Sequence, residues 1–360
     1  MIDLNNSISD VFFPYKVLFF PEVYSKLVSG APTNPINIEI NLTNKCNHNC
    51  LWCTYGYLHH NNDELDIEVV KSLLRDSKNM GVLSVTWTGG GEPTLHPHFS
   101  QLINYAASLG FKQGLNTNGN RLTEIDIDIL AKYFSYVRFS IDAGSSITHD
   151  SCHRVKKQFD TVIHNVTRLC TVRKNIKSKL IVGYSFLIDG INVDDIPKAT
   201  EIALRAGVDY IQFKPVVHYT KSNEQFRQVE LERKIHENLE KARAMQTENF
   251  QVLTLLHKFE NIKLEESNYG RTYTQCVGCK VMASIGANGS VDICCAYKGM
   301  AKWSIGNIND IPFSLIWNSQ RMQEVLNQVD VKECPPLCKS DEINRLIHFV
   351  RNYNLNREFI

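Results

Sequence analysis

Three cysteines, Cys46, Cys50 and Cys53, fall within eight residues, directly after an alternating apolar segment from Ile36 to Leu42 that reads as a β-strand. Iron-sulfur clusters are held by cysteine thiolates and normally take four. A local set of three leaves one iron of a four-iron cluster open to a further ligand, and an open iron is a place to do chemistry. Clustered Cys and His also suit zinc, with His48 or a distant thiolate as the fourth ligand. Zinc sites more often use CxxC pairs, however, and His48 lies inside a loop too tight to wrap a tetrahedral ion easily.

Such a loop needs a scaffold, and the chain supplies a regular one. Helical periodicity predicts helices over Asp66 to Met80, Phe99 to Leu109, Glu124 to Phe134, Phe159 to Lys174 and Val193 to Ala206. Strands are predicted over Leu83 to Thr88, Phe111 to Asn116, Tyr136 to Ile141, Lys179 to Ile188 and Tyr210 to Lys214. With the first strand this makes six strands separated by helices, which implies a parallel α/β sheet of βαβ units, either doubly wound or a barrel. Functional groups then belong at the C-terminal strand ends. The cysteine loop, the Gly89-Gly90-Gly91-Glu92-Pro93 run, the Thr117-Asn118-Gly119 turn and the Ser140-Ile141-Asp142-Ala143-Gly144 run all sit there. Lys221 to Glu248 is polar and charged at helical spacing, which suits a solvated helix closing the barrel or bridging to the next unit. From about Tyr269 turns become frequent, six of the eleven cysteines appear and the βα rhythm stops.

The 360 residues are 43% hydrophobic and 21% charged, enough to bury a full core. With 39 basic against 38 acidic side chains and no block of one sign, nothing marks a polyanion-binding face, so nucleic acid is not favoured. The apolar stretch Val11 to Phe20 is interrupted by Pro14 and Lys16 and is too short to span a bilayer, and it lacks the basic leader and cleavage site of a secretion signal. Eleven cysteines without such a signal point to the cytoplasm, where clustered thiols are metal or redox sites.

The CxxxCxxC loop, followed one βα unit later by Gly90-Gly91-Glu92, resembles the radical S-adenosylmethionine (radical SAM) superfamily. The resemblance implies an open six-unit partial (β/α)6 TIM-like barrel. It also implies that SAM chelates the open iron and is cleaved reductively to a 5′-deoxyadenosyl radical, with electrons from a flavodoxin- or ferredoxin-type reductant. Gly90, Gly91 and Glu92 would contact the methionyl amino group, Trp52 would lie beside the adenine, and Ser140 would contact the ribose. Arg154 would pair with the SAM carboxylate in the planar bidentate geometry that suits guanidinium. Asn118 would lie near SAM, although a turn asparagine in left-handed conformation explains it equally well. His96 and His98 are read as structural or exposed.

Cys279, nine residues, Gly289, four residues and Cys294 resemble the SPASM and twitch auxiliary-cluster extensions of these enzymes, and Cys334-x3-Cys338 closes the set. Four thiolates would hold one auxiliary four-iron cluster. A rival partition, Cys276-x2-Cys279 followed by Cys294, resembles the three-cysteine site of the molybdenum-cofactor cyclase, but the chain ends in Asn-Arg-Glu-Phe-Ile rather than that enzyme's Gly-Gly. A zinc ribbon is the structural alternative. Cys276, Cys295, Cys152 and Cys170 are left over. Most free cysteines are small buried hydrophobes, yet in radical SAM epimerases a spare thiol returns a hydrogen atom, and Cys276 and Cys295 are the candidates because they border the cluster.

The expectation is thus an N-terminal extension (1–36), a radical SAM partial barrel (37–264) and a smaller auxiliary-cluster domain (265–360). The enzyme would abstract hydrogen from a C–H carbon of a peptide or a sugar- or aminocyclitol-like molecule, giving oxidation, crosslinking or epimerisation. No leader-peptide recognition domain is expected at the N-terminus, which counts slightly against a self-contained peptide maturase but decides little, since many maturases use a separate recognition protein. The alternatives are radical SAM methyl transfer, or a non-catalytic zinc or iron-sulfur protein.

Overall fold

The structure is a computed structural model and describes residues 13–217, 224–263, 270–335 and 337–353. It begins with helix α1 (Pro21–Ser29) and then strictly alternates: β1 (Asn37–Asn41), α2 (Ile67–Asn79), β2 (Ser84–Thr88), α3 (Phe99–Ser108), β3 (Lys112–Thr117), α4 (Glu124–Tyr133) and β4 (Phe134–Ser140). Two helices, α5 (Ser146–His153) and α6 (Phe159–Asn175), lead to β5 (Ile181–Ile188), α7 (Ile196–Ala206), β6 (Tyr210–Pro215), α8 (Val229–Arg243), β7 (Gln251–Thr254) and α9 (Leu256–Lys263). Local chemistry sets the starts of these helices. Asp66 caps α2 by accepting from the Glu68 and Val69 amides, and Thr123 and Asp126 form a reciprocal capping box on α4.

Strands β1 to β7 are parallel and neighbour one another in chain order. A doubly wound sheet reverses its strand order at a switch point, and no reversal occurs here, so the winding is that of a barrel. The expected six strands are all present. The seventh, β7, lies just beyond the charged helix predicted over 221–248, which is realised as α8; residues 221–223 of that prediction lie outside the described residues.

The C-terminal third continues the same sheet. Strand β8 (Met282–Ile285) pairs in parallel with the outer edge of β1, from Asn37 opposite Met282 to Ile40 opposite Ile285. Strands β9 (Ser290–Asp292) and β10 (Ser304–Asn307) follow antiparallel, giving ten strands in the order β10-β9-β8-β1-β2-β3-β4-β5-β6-β7. Helices α10 (Phe313–Trp317), α11 (Gln320–Asn327) and α12 (Asp341–Asn352) complete the described chain. Residues 13–30 are also anchored here. Val17 and Leu27 share a small core with Val277, Val281 and Ile347, and Arg351 donates to the Val28 carbonyl at 3.0 Å.

Side-chain parity divides the strands into a greasy outer face and a polar lumen. On β4, Val137 and Phe139 are fully buried against the helices, while Tyr136, Arg138 and Ser140 face inward. The register carries that parity to Gly183 and Ser185 on β5 and to Tyr210, Gln212 and Lys214 on β6. Two tyrosines floor the lumen, each lying over a glycine: a Cβ on Gly114 would sit 2.1 Å from the Tyr136 ring, and one on Gly183 2.1 Å from the Tyr210 ring. Gly183→Ala is therefore expected to cost about 1–3 kcal/mol by overpacking, read as a lowered midpoint in thermal or denaturant unfolding; an unchanged midpoint would show that the Tyr210 ring swings aside freely. Among the described residues no helix is long and apolar enough to cross a membrane.

Candidate active site between two cysteine loops

Cys46, Cys50 and Cys53 lie on the loop leaving the C-terminal end of β1, and the loop is held from three sides. On one side the glycine run after β2 packs against its backbone. The Gly91 amide donates to Thr43 O at 3.0 Å and the Glu92 amide to Lys45 O at 2.9 Å. There is no room there for side chains: a Cβ on Gly91 would lie 2.1 Å from Lys45 O, and one on Gly90 2.7 Å from Asn44 Oδ1. On the second side, the end of α5 accepts from the loop, Asn49 N to His153 O at 3.0 Å and Leu51 N to Cys152 O at 2.9 Å. On the third, the turn after β3 grips Asn47, which accepts from Asn118 Nδ2 at 2.8 Å and donates to Asn120 Oδ1 at 2.9 Å.

The three sulfurs are surrounded by nitrogen. Cys46 Sγ accepts from the His48 amide at 3.4 Å, Cys50 Sγ lies 3.1 Å from His153 Nδ1, and Cys53 Sγ lies 3.8 Å from His59 Nε2. Burial raises all three thiols, Cys46 to about 12. Burial favours the thiol over the thiolate, and a metal or cluster held there takes the thiolate form, so its binding displaces protons. Three converging thiols with nitrogen groups around them suit an iron-sulfur cluster with one open iron. His48, the alternative zinc ligand, directs Nε2 to Gln158 Oε1 at 2.8 Å and packs its ring against His149 and His153. Nitrogens of these three buried histidines lie within 4.8 Å of one another. Desolvation holds all three neutral, His48 and His153 at about 4 and His149 at about 3.

The residues assigned to SAM surround this loop in varied states. Glu92 is buried; Oε1 accepts from Thr94 N, Thr94 Oγ1 and Thr117 Oγ1, and Oε2 accepts from Asn118 N at 2.8 Å. Its carboxylate therefore ties the β2 end to the β3 end, leaving only Oε2 with spare acceptor capacity. Gly90 O is 2.8 Å from His59 Nε2. Asn118 touches the cysteine loop as described, and the left-handed residue of its turn is Gly119, at φ 74°, so the alternative reading of Asn118 as a left-handed turn residue does not apply. Trp52 is buried and donates Nε1 to Asp142 Oδ2 at 3.2 Å. Asp142 accepts the Leu187 amide at 2.7 Å, and burial lifts it to about 6. The Ser140 hydroxyl at the lumen-facing end of β4 makes no hydrogen bond among the described residues. Arg154 is exposed at the C-terminal cap of α5 with φ 50°, directly after the residue whose carbonyl holds the cysteine loop. His96 is structural: buried, with Nε2 2.9 Å from Leu65 O.

The later cysteines form a second group. Cys276 Sγ is 3.3 Å from Cys279 Sγ and accepts from Asn344 Nδ2 at 3.4 Å. Cys279 and Cys294 interact through their thiols, as do Cys294 and Cys295, and Cys334 Sγ lies 3.5 Å from Tyr297 Oη. Cys338 feels the charges of Cys294, Cys276 and Cys334. Cys170 is buried in the main core, and Cys152 is buried beside Trp52 and Val216, next to the first cysteine loop. A cavity of about 660 Å³ separates the two cysteine loops. Trp52, Thr54 and Tyr55 of the first loop and Cys294, Cys295 and Cys338 of the later set line it; Cys46, Cys50, Cys53 and Cys276 do not. The loops are joined beside the cavity, where Tyr55 Oη donates to Cys295 O at 3.0 Å and Tyr57 Oη to Lys298 O at 2.6 Å. Gly299 is the matching close approach, since a Cβ there would meet Leu58 at 2.8 Å.

Sequence reasoning missed His59, His153 and Asn47, which touch the thiols or the loop. Their one linear signal is proximity, His59 six residues beyond Cys53 and His153 beside Arg154. It also missed the lumen cations, which only strand register reveals.

Two family profiles match the chain: the radical SAM superfamily over residues 40–203 and SPASM, an iron-sulfur cluster-binding domain, over residues 276–340. An S-adenosylmethionine-dependent nucleotide dehydratase of Selenomonas ruminantium is 28% identical over 44% of this chain, a match that spans 58% of the dehydratase. Fe-coproporphyrin III synthase of Methanosarcina barkeri is 28% identical over 77% of this chain and 72% of its own length. The crystal structure of Streptococcus suis SuiB bound to its precursor peptide SuiA superposes with a TM-score of 0.63 at 18% identity, covering 98% of this chain and 80% of SuiB, and thereby supports the fold. The domains bring a [4Fe-4S] cluster, SAM and an auxiliary cluster as cofactors. Residues 40–203 form a radical SAM domain and residues 276–340 a SPASM iron-sulfur cluster-binding domain.

Proposed function

We propose that this protein abstracts a hydrogen atom from a C–H carbon of a substrate held in the cavity between the two cysteine loops, and that the substrate radical is then oxidised, crosslinked or epimerised. The observation that carries this reading is that cavity, lined by Trp52, Thr54 and Tyr55 of the first cysteine loop and by Cys294, Cys295 and Cys338 of the later set. When bound at the first loop, the cluster supplies the electron that cleaves SAM to the 5′-deoxyadenosyl radical. The chain's own residues orient the reactants. Ser140 offers an unbonded hydroxyl, and Trp52, fixed by Asp142, offers a flat wall for a base. Arg154, next to the loop, offers a fork for the SAM carboxylate, and Gly90 and Gly91 let the backbone come close. A peptide is one substrate class in reach, since SuiB was crystallised with its precursor peptide.

Cys295, on the cavity wall, is placed to return a hydrogen atom. Cys276 is not among the lining residues and touches Cys279, which suits a cluster ligand better than a hydrogen donor. Trp52→Phe keeps a ring but removes the donor to Asp142, so SAM affinity is expected to fall about tenfold in anaerobic equilibrium binding, the loss of one charge-assisted hydrogen bond; unchanged affinity would make Trp52 a core residue only.

The reading is tested by anaerobic reconstitution with iron and sulfide, then dithionite and SAM. The expected result is about eight irons per chain, falling to about four in a variant with Cys46, Cys50 and Cys53 all changed to Ala, with 5′-deoxyadenosine formed only by the unmutated protein. Bound zinc, or full iron loading without SAM cleavage, would overturn it.

A further inference from the structure

The chain as a whole is nearly neutral, with 39 basic and 38 acidic side chains, but the cavity is not. The inward parity of β4 and β6 aims Arg138 and Lys214 up from the tyrosine floor, and α9 brings Lys258 to the same wall. None of the three makes a side-chain hydrogen bond or ion pair among the described residues. They crowd one another instead. Burial and the charges of Arg138 and Lys258 push Lys214 down to about 7, and burial and Arg138 lower Lys258.

The neighbouring anions are hydrogen-bonded to other donors, Asp142 to Trp52 Nε1 and the Leu187 amide, although its charge and that of Glu342 still reach Lys214 and Lys258. Glu39, in the lumen, is held by Lys339 Nζ at 2.5 Å. Asp341 accepts from Tyr273 Oη and Arg345 Nε, and Glu342 from Tyr15 Oη. Unpaired cations withdrawn from water are costly unless an anion joins them. A fold that keeps three together at the bottom of a cavity is built for a negative guest.

We propose that the substrate presents an anionic group, a carboxylate or a phosphate, to Arg138, Lys214 and Lys258, with the rest of the molecule reaching up toward the cysteine loops. This rests on the cavity being the place where the radical meets its substrate. Guanidinium fits either anion bidentately, and the two ammonium groups add charge without demanding a shape. The acidic group would thereby fix how deeply the substrate sits, and so which carbon faces the first loop.

The test uses the reconstituted protein with SAM bound, titrated anaerobically by calorimetry with inorganic phosphate, glutarate and 1,5-diaminopentane. At least one of the two anions is expected to bind and the diamine is not; which anion is tighter assigns the group as phosphate or carboxylate. The double variant Arg138→Met, Lys214→Met is expected to weaken the anion at least tenfold while SAM affinity stays within twofold. Lys258→Met, a single change on α9, is expected to weaken it about threefold, so the inference does not hang on the double variant folding. Absence of anion binding by the unmutated protein would overturn it. So would a parallel fall in SAM affinity, which would assign the cations to the SAM carboxylate. Failure of the radical reading registers separately, as absent 5′-deoxyadenosine in the unmutated protein.

Discussion

Gly91→Ala is expected to abolish assembly of the first cluster while leaving the second intact. Iron would fall from about eight to about four per chain after reconstitution, and 5′-deoxyadenosine formation would drop at least a hundredfold. The added methyl meets Lys45 O at 2.1 Å and Thr43 O at 2.6 Å, both main-chain atoms that no rotamer change can move. Such overpacking costs about 1–3 kcal/mol when the surroundings yield. Here yielding means displacing the backbone beside Cys46, because the Gly91 and Glu92 amides are the bonds that seat it. A Gly91→Ala protein that still bound about eight irons and cleaved SAM would show that the glycine run serves ligand access alone.

The second large effect concerns the later thiols. Cys276→Ala is expected to lose about four irons and keep the first cluster, whereas Cys295→Ala is expected to keep about eight. The grounds are that Cys276 Sγ touches Cys279 Sγ and accepts from the Asn344 side-chain amide, whereas the Cys295 thiol meets Cys294 alone among the described residues. 5′-Deoxyadenosine measured alongside separates the effects, since Cys276→Ala should still cleave SAM. If Cys276→Ala kept full iron, the four-thiol set Cys279, Cys294, Cys334 and Cys338 would stand as the spacing alone suggests.

Much of the scaffold was legible because its signals are local. Each βα unit of the barrel shows its own periodicity, and the cysteine loop and glycine run lie close in sequence as well as in space. Less visible were elements whose meaning depends on a distant partner. Strand β8 is four residues long and becomes interpretable only beside β1, and α1 is held by α12 rather than by any pattern of its own. Helix α5 went unread between the Ser140 to Gly144 run and Arg154, although its last carbonyls seat the cysteine loop. Arg138 and Lys214 were inside strands already recognised, but a charge in a strand reads as solvent-facing until register shows that the polar face is a lumen. The balanced total charge concealed them further, since a sum over the chain carries no positions.

The pairing of β8 with β1 ties the order of synthesis to the order of folding. The first strand of the barrel acquires its second neighbour only after some 240 further residues have been made, a contact of long sequence separation that slows folding. A nascent chain or proteolytic fragment ending at Lys263 would carry β1 as a bare edge, its outward amides and carbonyls free to recruit another molecule. Such a fragment is therefore expected to aggregate, and the barrel part relies on its C-terminal third to cover the edge of β1.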